Sequence, residues 1–149
     1  MVPCHPFTAD DFERVVRGRR LAGHWRARVP LDSPLGLFDV NLNAPPDAEL
    51  LQRVNELASA VSSDHESIVN IIYDDYRRAA EDKQWMKGCE VPRNLREDRV
   101  LRYIRRRSIS AGRDRHRAVY AELFITPNWE LEHGIRVMLA NGRLVPSAR

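Results

Sequence analysis

Apolar and polar residues alternate along several short segments of the chain, which is the period-two pattern of a half-buried β-strand. In the segment 35–42, Phe38, Val40 and Leu42 share one face and are predicted to be buried. Comparable patterns predict further strands at 12–16, 21–29, 103–110, 118–125, 135–139 and 143–145. Asn141-Gly142 joins the last two strands, because both residues accept the positive φ of a tight hairpin turn. The C-terminal region is therefore predicted to be a β-meander, and segments 30–34 and 112–114 are predicted to be loops.

The middle of the chain shows helical spacing of apolar residues instead. A proline pair at 45–46 precedes a helix that is predicted to end near Ala60. Ser63 and Glu66 have the spacing of a capping box, which predicts the start of a second helix. The inner stripe of this second helix consists of Ile68, Ile71, Ile72, Tyr76 and Ala79. The short link predicts that the two helices fold back as an αα-hairpin, and a short helix is predicted at 95–101.

These elements predict an α+β fold, in which N- and C-terminal strands form a mostly antiparallel sheet and the αα-hairpin packs on one face. The 149 residues suit one domain. We assign it to 12–149 and expect 1–11 to be a loose N-terminal leader. No apolar run is long enough to cross a bilayer, and the first residues do not resemble a secretory signal. We therefore expect a cytoplasmic protein without membrane association.

The net charge of +3 conceals a strong asymmetry along the chain. Residues 44–90 carry five basic and ten acidic side chains, a net charge of −5, whereas residues 91–149 carry thirteen arginines and six acidic side chains, a net charge of +7. Such an asymmetry can steer a charged partner or let one part of the fold pair with another. The candidate basic surface consists of Arg102, Arg105, Arg106, Arg107, Arg113, Arg115 and Arg117.

Three interpretations of these arginines stay open: a solvated or internally paired face, a contact for an acidic protein, and nucleic-acid binding. Guanidinium groups suit carboxylates and phosphates alike. The nearby aromatic residues are Tyr103 and Tyr120, and the stretch has no helix-turn-helix, zinc-finger or RNA-recognition signature. The sequence therefore argues against nucleic-acid binding. We expect an unknown protein as the partner, and an acidic protein is one candidate.

The segment 129–134 contains the groups best suited to chemistry: Trp129, Glu130, Glu132, His133 and Gly134. Two carboxylates beside a histidine could bind a divalent cation or act as general acid and base. The structural interpretation is a loop closed by internal hydrogen bonds, with Trp129 packed as a plug and Gly134 allowing a tight bend. Because catalysis needs a geometry that spacing alone does not define, we favour the structural interpretation and assign no catalytic residue, cofactor or metal.

The two cysteines, Cys4 and Cys89, are too far apart in sequence to indicate a disulfide framework or a zinc ribbon. The chain also has no glycine-rich phosphate loop, Gly-x-Ser-x-Gly or His-Glu-x-x-His motif. These observations favour a protein that is not an enzyme.

The motif Trp129-Glu130-Leu131-Glu132-His133-Gly134 resembles that of a bacterial domain family of unknown function, whose members carry Trp-(Asp/Glu)-x-Glu-His-Gly before a C-terminal hairpin. The resemblance covers roughly residues 21–146 and includes Trp25, Ile72–Tyr76 and the Asn141-Gly142 turn. Position 130 is Glu here, where Asp is usual in the family.

This resemblance implies the fold and, because some relatives are suspected to be immunity-like interaction proteins, a non-catalytic protein-interaction module acting by surface complementarity. The alternative is an enzyme or metal-binding domain centred on Glu130, Glu132 and His133. A third hypothesis is nucleic-acid binding through the arginine-rich segment.

Overall fold

The structure, a computed structural model, describes residues 7–16, 23–81, 91–130 and 133–147. Within these ranges the strands are β1 (Phe12–Val15), β2 (His24–Ala27), β3 (Leu31–Ser33), β4 (Gly36–Leu42), β5 (Ile104–Arg113), β6 (Val119–Pro127), β7 (Ile135–Ala140) and β8 (Arg143–Pro146). The α-helices are α1 (Ala48–Ser63) and α2 (His65–Glu81). Two 3₁₀ helices span Ala9–Asp11 and Glu97–Tyr103.

All eight described strands belong to one sheet, in the order β1-β2-β4-β5-β6-β7-β8, with β3 paired to β4. The pairs are antiparallel except β4 and β5, which run parallel with Val40 opposite Ile109. A parallel pair needs a long crossover connection, and the segment containing α1 and α2 supplies it. The predicted α+β fold, with a mostly antiparallel sheet built from both ends of the chain, is confirmed.

The core lies where the two helices pack against the sheet. Phe38, Val40 and Leu42 are at most 1% exposed, so the predicted buried face of β4 is confirmed. Ile72 and Tyr76 of α2 are buried in the same core. Removing these apolar surfaces from water provides the main force that holds helices and sheet together.

The C-terminal β-meander is also confirmed, since β5, β6, β7 and β8 pair in succession. Asn141 and Gly142 have φ values of 52° and 76°, and they join β7 to β8 with Ala140 opposite Arg143. Both turn residues thus have the positive φ that a two-residue hairpin of this kind requires.

Two predicted loops contain strand residues in the structure. Residues 31–33 of the 30–34 connector form β3, which pairs with β4. β5 continues through Gly112 and Arg113, so the prediction of a loop at 112–114 is wrong for these two residues. Gly112 does not form a turn but lets the Asn43 side chain approach β5 closely, because a Cβ at position 112 would lie 1.5 Å from Oδ1 of Asn43.

The predicted boundary between the helices is also wrong. α1 does not end near Ala60 but continues to Ser63, because the buried Val61 extends its apolar face. The Ser63 hydroxyl donates to the backbone oxygen of Ser59 at 2.9 Å, so it does not cap α2. Asp64 is the single residue between the two helices.

Residues 7–11 of the predicted leader are attached to the domain. The backbone N–H of Phe7 donates to Oδ1 of Asn55 at 2.7 Å, and Nδ2 of Asn55 donates to the Phe7 carbonyl at 3.0 Å. The expectation of a loose segment is therefore wrong for 7–11, whereas 1–6 lie outside the described residues. No helix in the described ranges has the length and apolar character needed to span a membrane.

Candidate functional site

Trp129 anchors the loop between β6 and β7 to α2. It lies in a turn directly after β6 and is only 4% exposed. Its indole Nε1 donates to Oδ2 of Asp75 at 2.9 Å. Its ring meets Tyr76 edge-on, with 5.3 Å between the ring centroids. The first residue of the motif is therefore an internal contact, as the structural interpretation expects.

Tyr76 extends this contact to the segment before the second 3₁₀ helix. Its hydroxyl donates to the backbone oxygen of Pro92 and accepts from the backbone N–H of Leu95 at 3.0 Å. Trp129, Asp75 and Tyr76, together with the backbone of Pro92 and Leu95, therefore form one connected set, which we call the α2 clamp. It holds three separate parts of the chain together.

Glu130 closes the motif loop. Its Oε1 accepts from the backbone N–H of His133 at 3.1 Å and lies 3.5 Å from the imidazole Nδ1. The Glu130 side chain is 13% exposed, whereas that of His133 is 65% exposed. Trp129 and His133 lie in different environments, because Trp129 belongs to the turn at 128–129 and is buried whereas His133 is exposed.

Gly134 ends the loop with a φ of +66°, a conformation that L side chains rarely adopt. A Cβ at this position would also lie 2.8 Å from Cζ of Phe124 and 3.0 Å from the carbonyl oxygen of Ile125. The glycine thus allows the tight bend that the sequence predicts before β7.

The structure brings Glu130 and His133 together, but Glu132 lies outside the described residues, as do Cys4, His5 and Cys89. Within the described ranges no group of three His, Cys, Asp or Glu side chains is arranged to hold a metal ion. Glu130 and His133 alone form a hydrogen-bonded turn with one solvent-exposed imidazole. The geometry of this pair supports a structural role.

The seven arginines of the candidate basic surface fall into two groups. β5 contains ten residues, so its two ends lie roughly 30 Å apart at about 3.3 Å per residue. One group lies at the start of β5 and in the 3₁₀ helix before it: Arg102, Arg105, Arg106 and Arg107. The other lies at the far end of β5 and just beyond it: Arg113, Arg115 and Arg117. One partner surface would have to be large to contact both groups.

Five exposed arginines lie within residues 93–106, in and around the second 3₁₀ helix and at the start of β5. We call this set the basic edge, and it consists of Arg93, Arg96, Arg102, Arg105 and Arg106. A register shift between Ile104 and Arg106 leaves Arg105 without a partner residue on β6. This bulge leaves Arg105 and Arg106 both exposed, although simple strand alternation predicts that they are separated.

Little acidic charge compensates the basic edge. Arg96 lies 3.6 Å from Oδ1 of Asp98. The remaining four arginines of the edge make no ion pair with any residue that the structure describes. Among the described residues, therefore, no carboxylate neutralises these four guanidinium groups.

Two of the candidate arginines instead serve the fold. Arg107 is half-buried and donates to the carbonyl of Leu101 at 3.2 Å, and burial lowers the pKa of its guanidinium. Arg113 lies 3.1 Å from Asp47 and 3.5 Å from Glu49. The hydrogen bond to Asp47 raises the pKa of Arg113. The hydrogen bond from the Leu50 backbone N–H, and after it the one from Arg113, lowers the pKa of Asp47.

An open cleft of about 400 Å³ lies between α2 and the segment 91–96. Its lining residues are Tyr73, Tyr76, Arg77, Ala80, Glu81, Arg93, Asn94, Leu95 and Arg96. The sequence analysis does not predict this cleft, since its walls come from parts of the chain with no common motif. The helical spacing of Tyr73, Tyr76, Arg77 and Ala80 indicates only that they lie near one another on α2.

The fold and these surfaces define a small α+β domain with a basic edge and an internally bonded β6–β7 loop. The chain belongs to a family described as a domain of unknown function, DUF6985, which matches residues 25–147. The match spans the sheet from β2 to β8 and both α-helices. No curated protein and no solved structure matches the chain.

Proposed function

We propose that this domain is a non-catalytic protein-interaction module that binds an acidic protein through its basic edge. The observation that carries this proposal is the group of exposed arginines, Arg93, Arg102, Arg105 and Arg106, without an acidic partner among the residues described. Arginine forms strong, often bidentate hydrogen bonds with carboxylates. Several guanidinium groups without an ion pair in the described structure therefore suit a surface rich in Asp and Glu.

The arginines are presented by ordered backbone. Arg102 belongs to the 3₁₀ helix, and Arg106 pairs with Thr126 in the sheet. Arg107 joins these two elements through its hydrogen bond to the Leu101 carbonyl. Because the backbone is held in place, binding would cost mainly the ordering of the arginine side chains.

An acidic protein fits this surface better than nucleic acid does. Glu97 and Asp98 lie among the arginines and would repel a phosphate backbone. Tyr103, the aromatic residue of this region, is half-buried and offers little ring surface for base stacking. A folded partner can place its own carboxylates away from these two residues.

The proposed module is bacterial and cytoplasmic, and its action is immunity-like: it would neutralise a partner by covering the partner's surface. The support for this finer form is the resemblance of the segment 129–134 to a family with suspected immunity-like members. In this role the motif maintains the fold, and the basic edge selects the partner.

The test measures equilibrium binding of fluorescein-labelled poly-L-glutamate by fluorescence anisotropy. The variant Arg105→Glu/Arg106→Glu changes the basic edge, and Arg115→Glu/Arg117→Glu makes the same change in charge at the far end of β5. We expect the edge variant to bind about tenfold more weakly than the wild type and the far-end variant to stay near the wild type. Circular dichroism checks that all three proteins are folded.

An equal loss in both variants would contradict the proposal, because it would show that net charge alone drives binding. A DNA duplex that binds more tightly than poly-L-glutamate, with the same dependence on Arg105 and Arg106, would replace the acidic protein with nucleic acid.

A further inference from the structure

We propose that the cleft between α2 and the segment 91–96 is a binding site for a small organic anion, one carboxylate or phosphate carried on an apolar body. Its volume of about 400 Å³ falls within the range of roughly 300–1,000 Å³ that is usual for small-molecule sites. The cleft shares Arg93 and Arg96 with the basic edge, but Arg77 and the α2 side of the cleft lie outside that edge.

The charge of the cleft selects an anion. Among the residues that the structure describes, three guanidinium groups line it, from Arg77, Arg93 and Arg96, against one carboxylate, from Glu81. The ion pair with Asp98 engages only Arg96. Arg77 and Arg93 make no ion pair with a described residue, so both can bind an incoming carboxylate or phosphate through paired hydrogen bonds.

The remaining lining adds a small apolar surface on which the body of the ligand can pack. The rings of Tyr73 and Tyr76 lie nearly parallel, at 26°, with 6.0 Å between their centroids. Leu95 and Ala80 add aliphatic surface, and the Asn94 amide supplies both a donor and an acceptor. Tyr76 and Leu95 are buried, so Tyr73 and Ala80 provide most of the apolar surface that a ligand can reach in this largely polar cleft.

The α2 clamp fixes the width of this cleft. Tyr76 lines the cleft, and its hydroxyl joins α2 to the backbone of Pro92 and Leu95 on the opposite wall. Trp129 packs on the Tyr76 ring and bonds to the adjacent Asp75. Trp129 is therefore a positioning residue that acts through Tyr76, and the motif contributes to binding without touching the ligand.

Phenyl phosphate, inorganic phosphate and phenol separate the contributions of charge and apolar body. Isothermal titration calorimetry with each probe gives its dissociation constant. We expect phenyl phosphate to bind at least about tenfold more tightly than either of the other two. Benzoate in place of phenyl phosphate tells whether the site prefers a carboxylate or a phosphate.

Matched variants locate the bound anion. Arg77→Ala/Arg93→Ala should weaken phenyl phosphate binding about tenfold, whereas Arg105→Ala/Arg106→Ala, which changes the basic edge outside the cleft, should leave it unchanged. All four side chains are exposed, so both variants should fold. Trp129→Phe should weaken phenyl phosphate binding but leave poly-L-glutamate binding unchanged. A general loss of folding would instead weaken the binding of both probes.

The proposal is overturned if phenyl phosphate binds no more tightly than inorganic phosphate, or if no probe binds. It is also overturned if the Arg105/Arg106 variant loses phenyl phosphate as fully as the cleft variant. Poly-L-glutamate binding is tested at Arg105 and Arg106, which do not line the cleft, so the two proposals fail separately although Arg93 belongs to both surfaces.

Discussion

Trp129 and Glu130 are adjacent in sequence but perform different structural tasks. Trp129 connects the β6–β7 loop to α2 through a hydrogen bond and a ring contact. Glu130 stays within the loop and accepts the backbone N–H of His133. The sequence predicts an internally bonded loop, but spacing cannot tell which side chain closes it. That depends on the turn at 128–129, which directs Trp129 inward and leaves His133 in solvent.

Replacing Trp129 by Phe tests the contact with α2. The change keeps an aromatic ring but removes the indole donor to the Asp75 carboxylate, a hydrogen bond to a charged group that contributes about 1.5–3 kcal/mol. We expect a loss of this size in the free energy of unfolding, measured by urea denaturation. Trp25→Phe is the matched control, because its indole makes no hydrogen bond to the described residues. An equal loss in both variants would show that ring size, not the hydrogen bond, determines the effect.

Glu130→Ala and His133→Ala should differ in their effect on stability. The alanine at 130 removes the carboxylate acceptor of the His133 backbone N–H, which water can then satisfy, so we expect a cost of about 0.5–1.5 kcal/mol. The exposed imidazole contributes less, and His133→Ala should cost under about 0.5 kcal/mol. Thermal denaturation of the two variants, with Glu130→Gln as a control that keeps an acceptor oxygen, measures the difference. A larger loss at His133 than at Glu130 would be inconsistent with this loop geometry.

At the scale of elements, periodicity predicted the strands whose two faces differ. β4 alternates because Phe38, Val40 and Leu42 enter the core while Leu37 and Asp39 face solvent. The Asn141-Gly142 turn followed from backbone sterics alone. By contrast, the three-residue β3 is too short to show a period, and the bulge at Arg105 depends on pairing with β6. The parallel pairing of β4 with β5 is a tertiary property that local sequence does not encode.

The start of α1 gives a prediction that depends on pH. Asp47 is the N-cap and accepts from the Leu50 backbone N–H at 2.9 Å, which with Arg113 lowers its pKa below the ordinary 3.8. This contribution is present above pH 3.8 and is lost as the pH falls through the lowered pKa of the folded state. Asp47→Ala should therefore cost about 0.5–2 kcal/mol at neutral pH and progressively less in acid.

Asp47→Asn is the control for this prediction. Asparagine caps a helix about as well as aspartate does but has no carboxyl proton to gain. Urea denaturation at neutral pH and at about pH 2 measures the free energy of unfolding of the three proteins. The stability advantage of Asp over Ala should shrink in acid, whereas that of Asn over Ala should stay constant. A pH-independent advantage of Asp would contradict the role of the ionised carboxylate.

At the scale of the whole molecule, folding separates the charge asymmetry of the chain into two parts. Some of it is neutralised internally, since Arg113 pairs with Asp47 and Glu49 from the acidic middle of the chain. The rest is concentrated at the basic edge, where most of the arginines face solvent without an ion pair in the described structure. Composition predicted a basic region but could not show which arginines are neutralised. Arg113 and Asp47 lie 66 residues apart in sequence, and only the fold brings them together. The sequence could not predict the cleft either, because its walls come from separate parts of the chain.

The most direct test of the central claim is quantitative affinity capture from a bacterial lysate with three baits. These are the wild type, Arg105→Glu/Arg106→Glu and the far-end control Arg115→Glu/Arg117→Glu, with captured proteins measured by mass spectrometry at low and high salt. We predict a specific acidic protein that the wild type and the far-end control retain, and that the edge variant loses. High salt should release it, because screening weakens contacts between exposed charges. Capture of the same protein by the edge variant, or capture that salt does not weaken, would contradict the account.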